Sequence, residues 1–180
     1  NDIFMRLRKT NLKLNGSKCQ FMKTELNYLG HKIVNGGILP DEDKVKAIMN
    51  HPTPKTGDEV KRFVAFVNYY RTHINKFAYL TIPLNRLTKK GVMFNWTEEC
   101  DKAFHEIKKI LSTAPLLEFP NFAPNNIFRL TTDASGYAVG AILSNGNGKP
   151  VSYASRALNK AERNYATIEK ELLAIVWAVQ

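Results

Sequence analysis

Ile127-Phe128-Arg129-Leu130-Thr131-Thr132-Asp133-Ala134-Ser135 is the stretch whose reading decides the fold. It is an apolar, β-branched run closed by an aspartate, with turn chemistry directly after it. Two further strand-like runs follow, at 137–144 and 150–154, with Asn145-Gly146-Asn147-Gly148 as the turn between them. Residues 161–180 then read as a helix that carries Glu169 and Glu171. An Asp at a strand end and a Glu on a crossing helix are rigidly mounted carboxylates, the kind a divalent-ion centre uses. Each residue also has a plain reading. Asp133 would form a turn, and either Glu would sit on a solvated helix face. Glu169 and Glu171 lie about 200° apart on a helix, so only one can face a given site, and spacing does not choose between them.

Working back from this stretch, the chain changes character. Pro115, Pro120 and Pro124 mark a connector, and the segment before it reads as helices. Thr97 caps one helix, whose buried stripe is Ala103, Phe104, Ile107, Ile110 and Leu111. A shorter helix over 77–90 ends at Gly91. Thr56-Gly57-Asp58-Glu59 fits a capping box. The helix behind it has a core stripe of Val60, Phe63, Val64, Val67, Tyr70 and Ile74. Lys61, Ala65, Asn68 and Tyr69 fall mostly outside that stripe. Asp41-Glu42-Asp43 opens another short helix, with acids where they complement the dipole, and His51-Pro52-Thr53-Pro54 breaks it. Gly36-Gly37 signals a hairpin, with Tyr28–Val34 as one arm and Ile38-Leu39 beginning the other. Residues 1–14 read as a helix end.

Composition sets the outer limits. The 180 residues are 44% hydrophobic, enough for a packed core. No apolar run of about 18 residues exists, so no membrane partner is expected. Cys19 and Cys100 are too few for a disulfide framework, and a reducing compartment is the simpler assumption. The net charge of +10 is uneven: residues 1–110 hold 20 Lys or Arg against 11 Asp or Glu, and the remainder 6 against 5. A basic first half attracts phosphate backbones, although a solvated Lys-rich surface has the same composition. The chain begins on Asn1, inside a helical pattern, and finishes on the apolar run to Gln180. The expectation is a piece of a larger polypeptide.

A series of short motifs carries a resemblance. In order they are Tyr28-Leu29-Gly30-His31, Phe63 with Asn68-Tyr69-Tyr70-Arg71, Phe94-Asn95-Trp96-Thr97, Ala103-Phe104, Ala114-Pro115-Leu116-Leu117, Thr132-Asp133-Ala134-Ser135, Ser152-Tyr153-Ala154-Ser155-Arg156, and Asn164-Tyr165 with Glu169-Lys170-Glu171-Leu172-Leu173-Ala174. In this order and spacing they resemble the Pol polyprotein of gypsy-type LTR retrotransposons, over nearly the whole chain.

The resemblance implies an α+β layout. Residues 1–39 would be the end of a reverse transcriptase palm with its hairpin, 40–90 a helical thumb, 91–125 a connection, and 126–180 the truncated first half of an RNase H domain, a mixed sheet with a helix. It implies Asp133 and Glu171, rather than Glu169, as catalytic metal ligands, with Mg2+ as cofactor and Mn2+ as the alternative. It makes Leu29, Gly30 and His31 a primer-positioning turn, and it lays Lys61, Ala65, Asn68 and Tyr69 in the groove of the duplex. Lys18 matches a palm lysine near the incoming nucleotide, although its plainer reading is a surface lysine. The implied partners are RNA/DNA hybrid, primer–template duplex, dNTPs for the parent enzyme and the remainder of the Pol polyprotein. The implied location is the cytoplasm, in a virus-like particle, or the nucleus.

Three features temper that picture. Ala65 stands where the family has Gly. No Asp-Asp pair occurs anywhere in the chain, so the polymerase aspartates are expected upstream. The later RNase H carboxylates are expected downstream, and the chain alone is expected to be inactive. The competing readings are a non-catalytic nucleic-acid-binding relic or repurposed protein, and a host enzyme of the wider RNase H-like class.

Overall fold

The computed structural model describes residues 2–180, in two antiparallel sheets joined by a bundle of short helices. The order begins with α1 (Asp2–Lys9), β1 (Leu26–Tyr28), β2 (His31–Val34) and β3 (Gly37–Pro40). The helices α2 (Glu42–Met49), α3 (Gly57–Asn68), α4 (Phe77–Leu80), α5 (Ile82–Leu87) and α6 (Glu98–Ser112) follow. Next come β4 (Leu117–Glu118), β5 (Arg129–Ala134), β6 (Ala138–Ser144), β7 (Pro150–Ala157) and α7 (Thr167–Ala178). The first sheet runs β1-β2-β3-β4 and the second β5-β6-β7.

Local chemistry accounts for most helix starts. The side chains of Asp41, Thr56 and Thr97 each accept a backbone N–H from the first turn of α2, α3 and α6. The expected capping box at Thr56 is half present. The Thr56 hydroxyl accepts from Glu59 N at 3.2 Å, but the Glu59 carboxylate takes the amide of Lys55, one residue earlier, at 2.7 Å. Helix α3 stops at Asn68, and a 3₁₀ turn, Arg71–His73, follows. Tyr70 and Ile74 therefore reach the core from outside the helix, and both are fully buried. The single helix expected over 77–90 is two, divided at Thr81, whose hydroxyl bonds back to Phe77 O.

Phe63, Val60, Val67, Leu84, Phe104, Ile107 and their neighbours make one core among the helices. Lys108 lies at its edge, 8% exposed, with its Nζ 4.2 Å from the centre of the Phe104 ring. That ammonium donates to Met49 O and His51 O, so it caps the end of α2 from α6. Burial lowers its pKa. Lys108→Ala leaves two carbonyls short of a partner and is expected to lower stability by about 1–3 kcal/mol in thermal denaturation.

The three strands of the second sheet lie one position or more from their expected bounds, and all pair antiparallel where a mixed sheet was expected. Asp133 does not close its strand. It lies inside β5, opposite Gly140. The segment 161–180 is not helical throughout: a 3₁₀ turn at Glu162–Asn164 precedes α7. A small core of Val139, Leu158 and Ala174, joined by Ala134, Leu173 and Trp177, packs α7 on this sheet. Among the described residues no helix is long and apolar enough to cross a membrane.

Candidate nucleic-acid interface and carboxylate site

The Tyr28–Val34 arm expected as one strand is two, β1 and β2, joined at Leu29-Gly30. Tyr28 pairs with His31, so the turn is a two-residue hairpin loop. Both of its central residues have positive φ, 46° at Leu29 and 71° at Gly30. That is the type I′ arrangement, which suits the twist of a hairpin and normally takes Asn-Gly. A leucine there is costly, because its Cβ crowds the backbone in the left-handed region. Leu29 is also 69% exposed, so burial does not offset the cost.

The turn is held from behind. The Tyr69 hydroxyl donates to Leu29 O, and the Tyr70 hydroxyl donates to Gly30 O at 2.7 Å. His31 sits among these rings, with its centroid 5.2 Å from Tyr69, 5.5 Å from Tyr70 and 5.6 Å from His73. A strained, exposed turn fixed by a partly buried aromatic cluster is a pattern of functional sites. Burial, assisted by the Asp41 and Tyr69 charges, pushes the Tyr70 phenol up to about 12, so it stays a hydrogen-bond donor.

A methyl at Gly30 would lie 3.2 Å from Tyr69 Cε1 and 3.4 Å from the Tyr70 hydroxyl, on top of the backbone penalty. Gly30→Ala is expected to cost about 1–2 kcal/mol, read as a lower urea midpoint.

Lys61, Ala65, Asn68 and Tyr69 are all exposed, while Val60, Phe63 and Val67 of the same helix are buried. Lys61, Ala65 and Asn68 follow helical spacing along one face, and Tyr69 links that face to the Leu29–Gly30 turn. The expected interface residues thus form one continuous surface. Sequence reasoning missed Tyr70 and His73 as its support. Tyr70 is read as core from its spacing, and nothing local announces its hydroxyl bond to a residue 40 positions away.

The carboxylates are placed differently. Asp133, Gly140 and Ser155 are cross-strand partners and share one face of the second sheet. Ala134, Val139 and Arg156 share the other, where Ala134 and Val139 pack on α7 and Arg156 lies 5.9 Å from the Trp177 ring. Alternation therefore turns Asp133 away from the face that α7 covers. Its carboxylate is held instead by Lys76 Nζ at 2.7 Å, beside a cavity of about 310 Å³ that Lys76, Tyr79, Ser135 and Ser155 also line. Glu171 is half-buried on α7, three residues before the buried Ala174 and so on the sheet-facing side. Glu169 has another task. It is exposed, and its carboxylate accepts the amide of Ala166 at 2.7 Å, closing the first turn of α7.

Asp133 offers hard oxygen, which suits magnesium. Among the described residues, however, no three His, Cys, Asp or Glu side chains gather as a metal-binding group, and Asp133 already has a cation. The residues present do not by themselves fit a two-ion centre.

Residues 96–180 match the family described as the RNase H-like domain found in reverse transcriptase. The chain is 48% identical over 181 residues to the Pol polyprotein of Drosophila melanogaster transposon 412, covering 99% of this chain and 14% of that protein. The chain is similar to retrotransposon Pol polyproteins over nearly its whole length, with an RNase H-like segment at residues 96–180. The Drosophila transposon 297 Pol polyprotein is 43% identical, and the Tf2-3 polyprotein of Schizosaccharomyces pombe 36% identical over 97% of this chain and 13% of its own length. The chain thus spans between 13% and 19% of the length of these Pol polyproteins. A foamy viral protease-reverse transcriptase, solved in complex with RNA/DNA hybrid, shares the fold with TM-score 0.81 at 24% identity over 99% of this chain and 25% of its own. The same viral protein solved with dsDNA gives TM-score 0.74 at 26% identity, over 87% of this chain and 33% of its own. The shared α+β fold reaches across the whole chain, beyond residues 96–180.

Proposed function

We propose that this chain is the duplex-handling part of a gypsy-type RNA-directed DNA polymerase with RNase H, which copies RNA into DNA and degrades the RNA of the hybrid. On this reading residues 1–39 are the end of the palm, 40–90 the thumb, 91–125 the connection and 126–180 the first half of the RNase H domain. The observation that carries it is the strained Leu29–Gly30 turn, pinned by Tyr69 and Tyr70 and continuous with the exposed row Lys61, Ala65 and Asn68. Lys61 neutralises phosphate, Asn68 and Tyr69 meet groove edges and sugars, and Leu29 to His31 fix the primer end. The proposed ligand is an RNA/DNA hybrid or primer–template duplex, which agrees with the complexes of the foamy viral relative. For the parent enzyme the proposal extends to dNTPs, the remainder of the polyprotein, Mg2+ or Mn2+, and a virus-like particle in the cytoplasm. The relic reading is not favoured by the match across the whole chain.

Fluorescence anisotropy of a labelled RNA/DNA hybrid over a range of salt tests the interface. Asn68→Ala should weaken binding about uniformly with salt. Lys61→Ala should also reduce the slope of log K against log salt by about 1. Tyr69→Phe keeps the ring and removes the bond to Leu29 O, so it separates stacking on the duplex from support of the turn. Equal losses from every exposed Lys→Ala, with no effect of Asn68→Ala, would show plain electrostatics and end the proposal. The 180-residue chain is expected to cleave no hybrid in magnesium, and Asp133-dependent cleavage would overturn that part of the reading.

A further inference from the structure

Two cavities meet where α4 and α5 lie beside the turn between β5 and β6. The smaller, about 130 Å³, has Arg86, Lys89 and Arg163 in its wall, and among the described residues no carboxylate lines it. Lys89 and Arg163 enter no ion pair among the described residues. Arg86 meets Glu99 at 3.4 Å, an exposed pair that opens easily. The larger cavity, about 620 Å³, shares Ile82, Arg86 and Tyr137 with the smaller. Leu80, Pro83 and Ala103 give it an apolar lining, and the half-exposed rings of Tyr79 and Tyr137 complete it. The junction of the two is fixed by one buried residue. Leu158 N donates to Tyr137 O at 2.8 Å, and Leu158 O accepts from Arg163 Nε at 3.1 Å. The Tyr137 amide is also held, by Ser135 Oγ at 3.3 Å. An exposed ring and a guanidinium are thus oriented together, and the Arg163 terminal amino groups keep the planar fork that suits a phosphate.

We propose that this junction binds an unpaired nucleotide of a nucleic-acid single strand, with its phosphate in the cationic cavity and its base against Tyr137 in the apolar one. A cationic cavity alone would take any small anion, and an apolar one any apolar body. Side by side, they select a ligand that carries a phosphate next to a flat ring. Single strands are held in this way, by cations that track the backbone and aromatic rings on which bases stack. The charges are arranged to match. In the larger cavity Arg86 and Lys102 meet Glu99 and Glu98, and Glu106 offsets Lys109, so net positive charge is confined to the phosphate end. A duplex cannot use the site, because its bases are stacked on one another and offer no free face. No residue of α3 takes part. The site is therefore separate from the proposed duplex surface and does not depend on it.

The test is binding of a labelled oligothymidylate, which forms no hairpin, to the 180-residue chain, at a length of about 12 nucleotides. Tyr137→Ala should weaken it about five- to hundredfold, the range for loss of one stacked base. Tyr137→Phe keeps the ring and should retain binding. Lys89→Ala and Arg163→Ala should each weaken binding and reduce the salt slope by about 0.7, the value for one phosphate of a single strand. Asn68→Ala, on the duplex surface, should leave the oligothymidylate unaffected. Circular dichroism of each variant reports the fold, and the half-exposed Tyr137 side chain can be truncated without opening a core. Thymidine monophosphate should compete at lower concentration than inorganic phosphate, because only the nucleotide fills both cavities. Oligothymidylate binding indifferent to Tyr137→Ala overturns the proposal. Equal competition by inorganic phosphate reduces the site to an anion pocket, and stronger competition by polyglutamate makes it a site for acidic peptide; either result also overturns it. Loss of oligothymidylate and hybrid together in Asn68→Ala would mean one shared surface and no second site. Failure of the chain to bind hybrid would end the duplex reading alone and leave this one standing.

Discussion

Phe63→Ala should lower the unfolding free energy by about 3–5 kcal/mol, the cost of emptying a packed aromatic site. Phe63 is fully buried. Its ring centre lies 4.6 Å from that of Phe104 and 5.2 Å from that of His51. Phe104 in turn meets Trp96 edge-on at 5.8 Å and carries the Lys108 ammonium over its face. Removing Phe63 therefore strips one ring from a cluster that joins α3, α6 and the end of α2, and the helices cannot close the gap without moving the Lys108 cap. Urea denaturation followed by circular dichroism reads the loss. Ala65→Ser, on the exposed face of the same helix, should stay within about 0.5 kcal/mol. A small effect at Phe63 would mean that the helical core is not packed as described.

Acid should destabilise the chain in two separate windows, and the upper one belongs to His73. Burial, with the neighbouring His31 charge as a second cause, lowers the His73 pKa from 6.5 to about 4. Nε2 has no hydrogen-bond partner and the residue is 2% exposed, so burial outweighs the Ile38 backbone, the one neighbour that favours the charged ring. The sign follows from proton counts. Between pH 6.5 and about 4 the unfolded imidazole binds a proton that the folded one refuses. Stability is therefore complete above 6.5 and falls as pH drops through the window, by up to about 3 kcal/mol. His73→Phe should remove this fall.

The lower window belongs to carboxylates. Hydrogen bonds from Asn145, Asn147 and Lys149 lower Glu118 to about 2, and the Arg156 pair lowers Glu162. Their contributions are present above the usual carboxylate range and fade below it, so the two causes separate. Urea midpoints at pH 7.0, 5.0 and 3.5, with and without His73, decide the matter. If His73→Phe leaves the loss between pH 7.0 and 5.0 unchanged, the buried imidazole is not its source.

The helical part of the fold was legible because its signals are local. Asp41, Thr56 and Thr97 announce their helices, and the spacing of Val60, Phe63 and Val67 announces a core face. The exposed row Lys61, Ala65, Asn68 and Tyr69 followed from the same spacing. Strand β4 was not legible. It is only two residues long, lies between prolines, and exists because Gly37 and Ile38 pair with it from 80 positions away. The Gly36-Gly37 signal marked the right hairpin, but its loop is Asn35-Gly36. Gly37 belongs to the strand, where a side chain would collide with the Leu117 carbonyl. At the second sheet the motif around Asp133 was legible, but its face and its partner were not. A one-residue difference in where the strand ends decides which way the side chain points, and no pattern in the sequence links Lys76 to it.

The pairing of β3 with β4 has a topological consequence. It closes residues 39–116 into a single loop whose two ends meet side by side in one sheet. The helices are therefore an insert between adjacent strands, entering and leaving the sheet at one place. For such a loop the entropy of closure grows only with the logarithm of its length, about 0.6 kcal/mol for each doubling. The segment from Gly91 to Asn95, which links α5 to α6 without regular structure, is accordingly the natural place to graft foreign sequence. An epitope or a reporter peptide inserted there would lengthen the loop while leaving its closing strands, and both sheets, as they are.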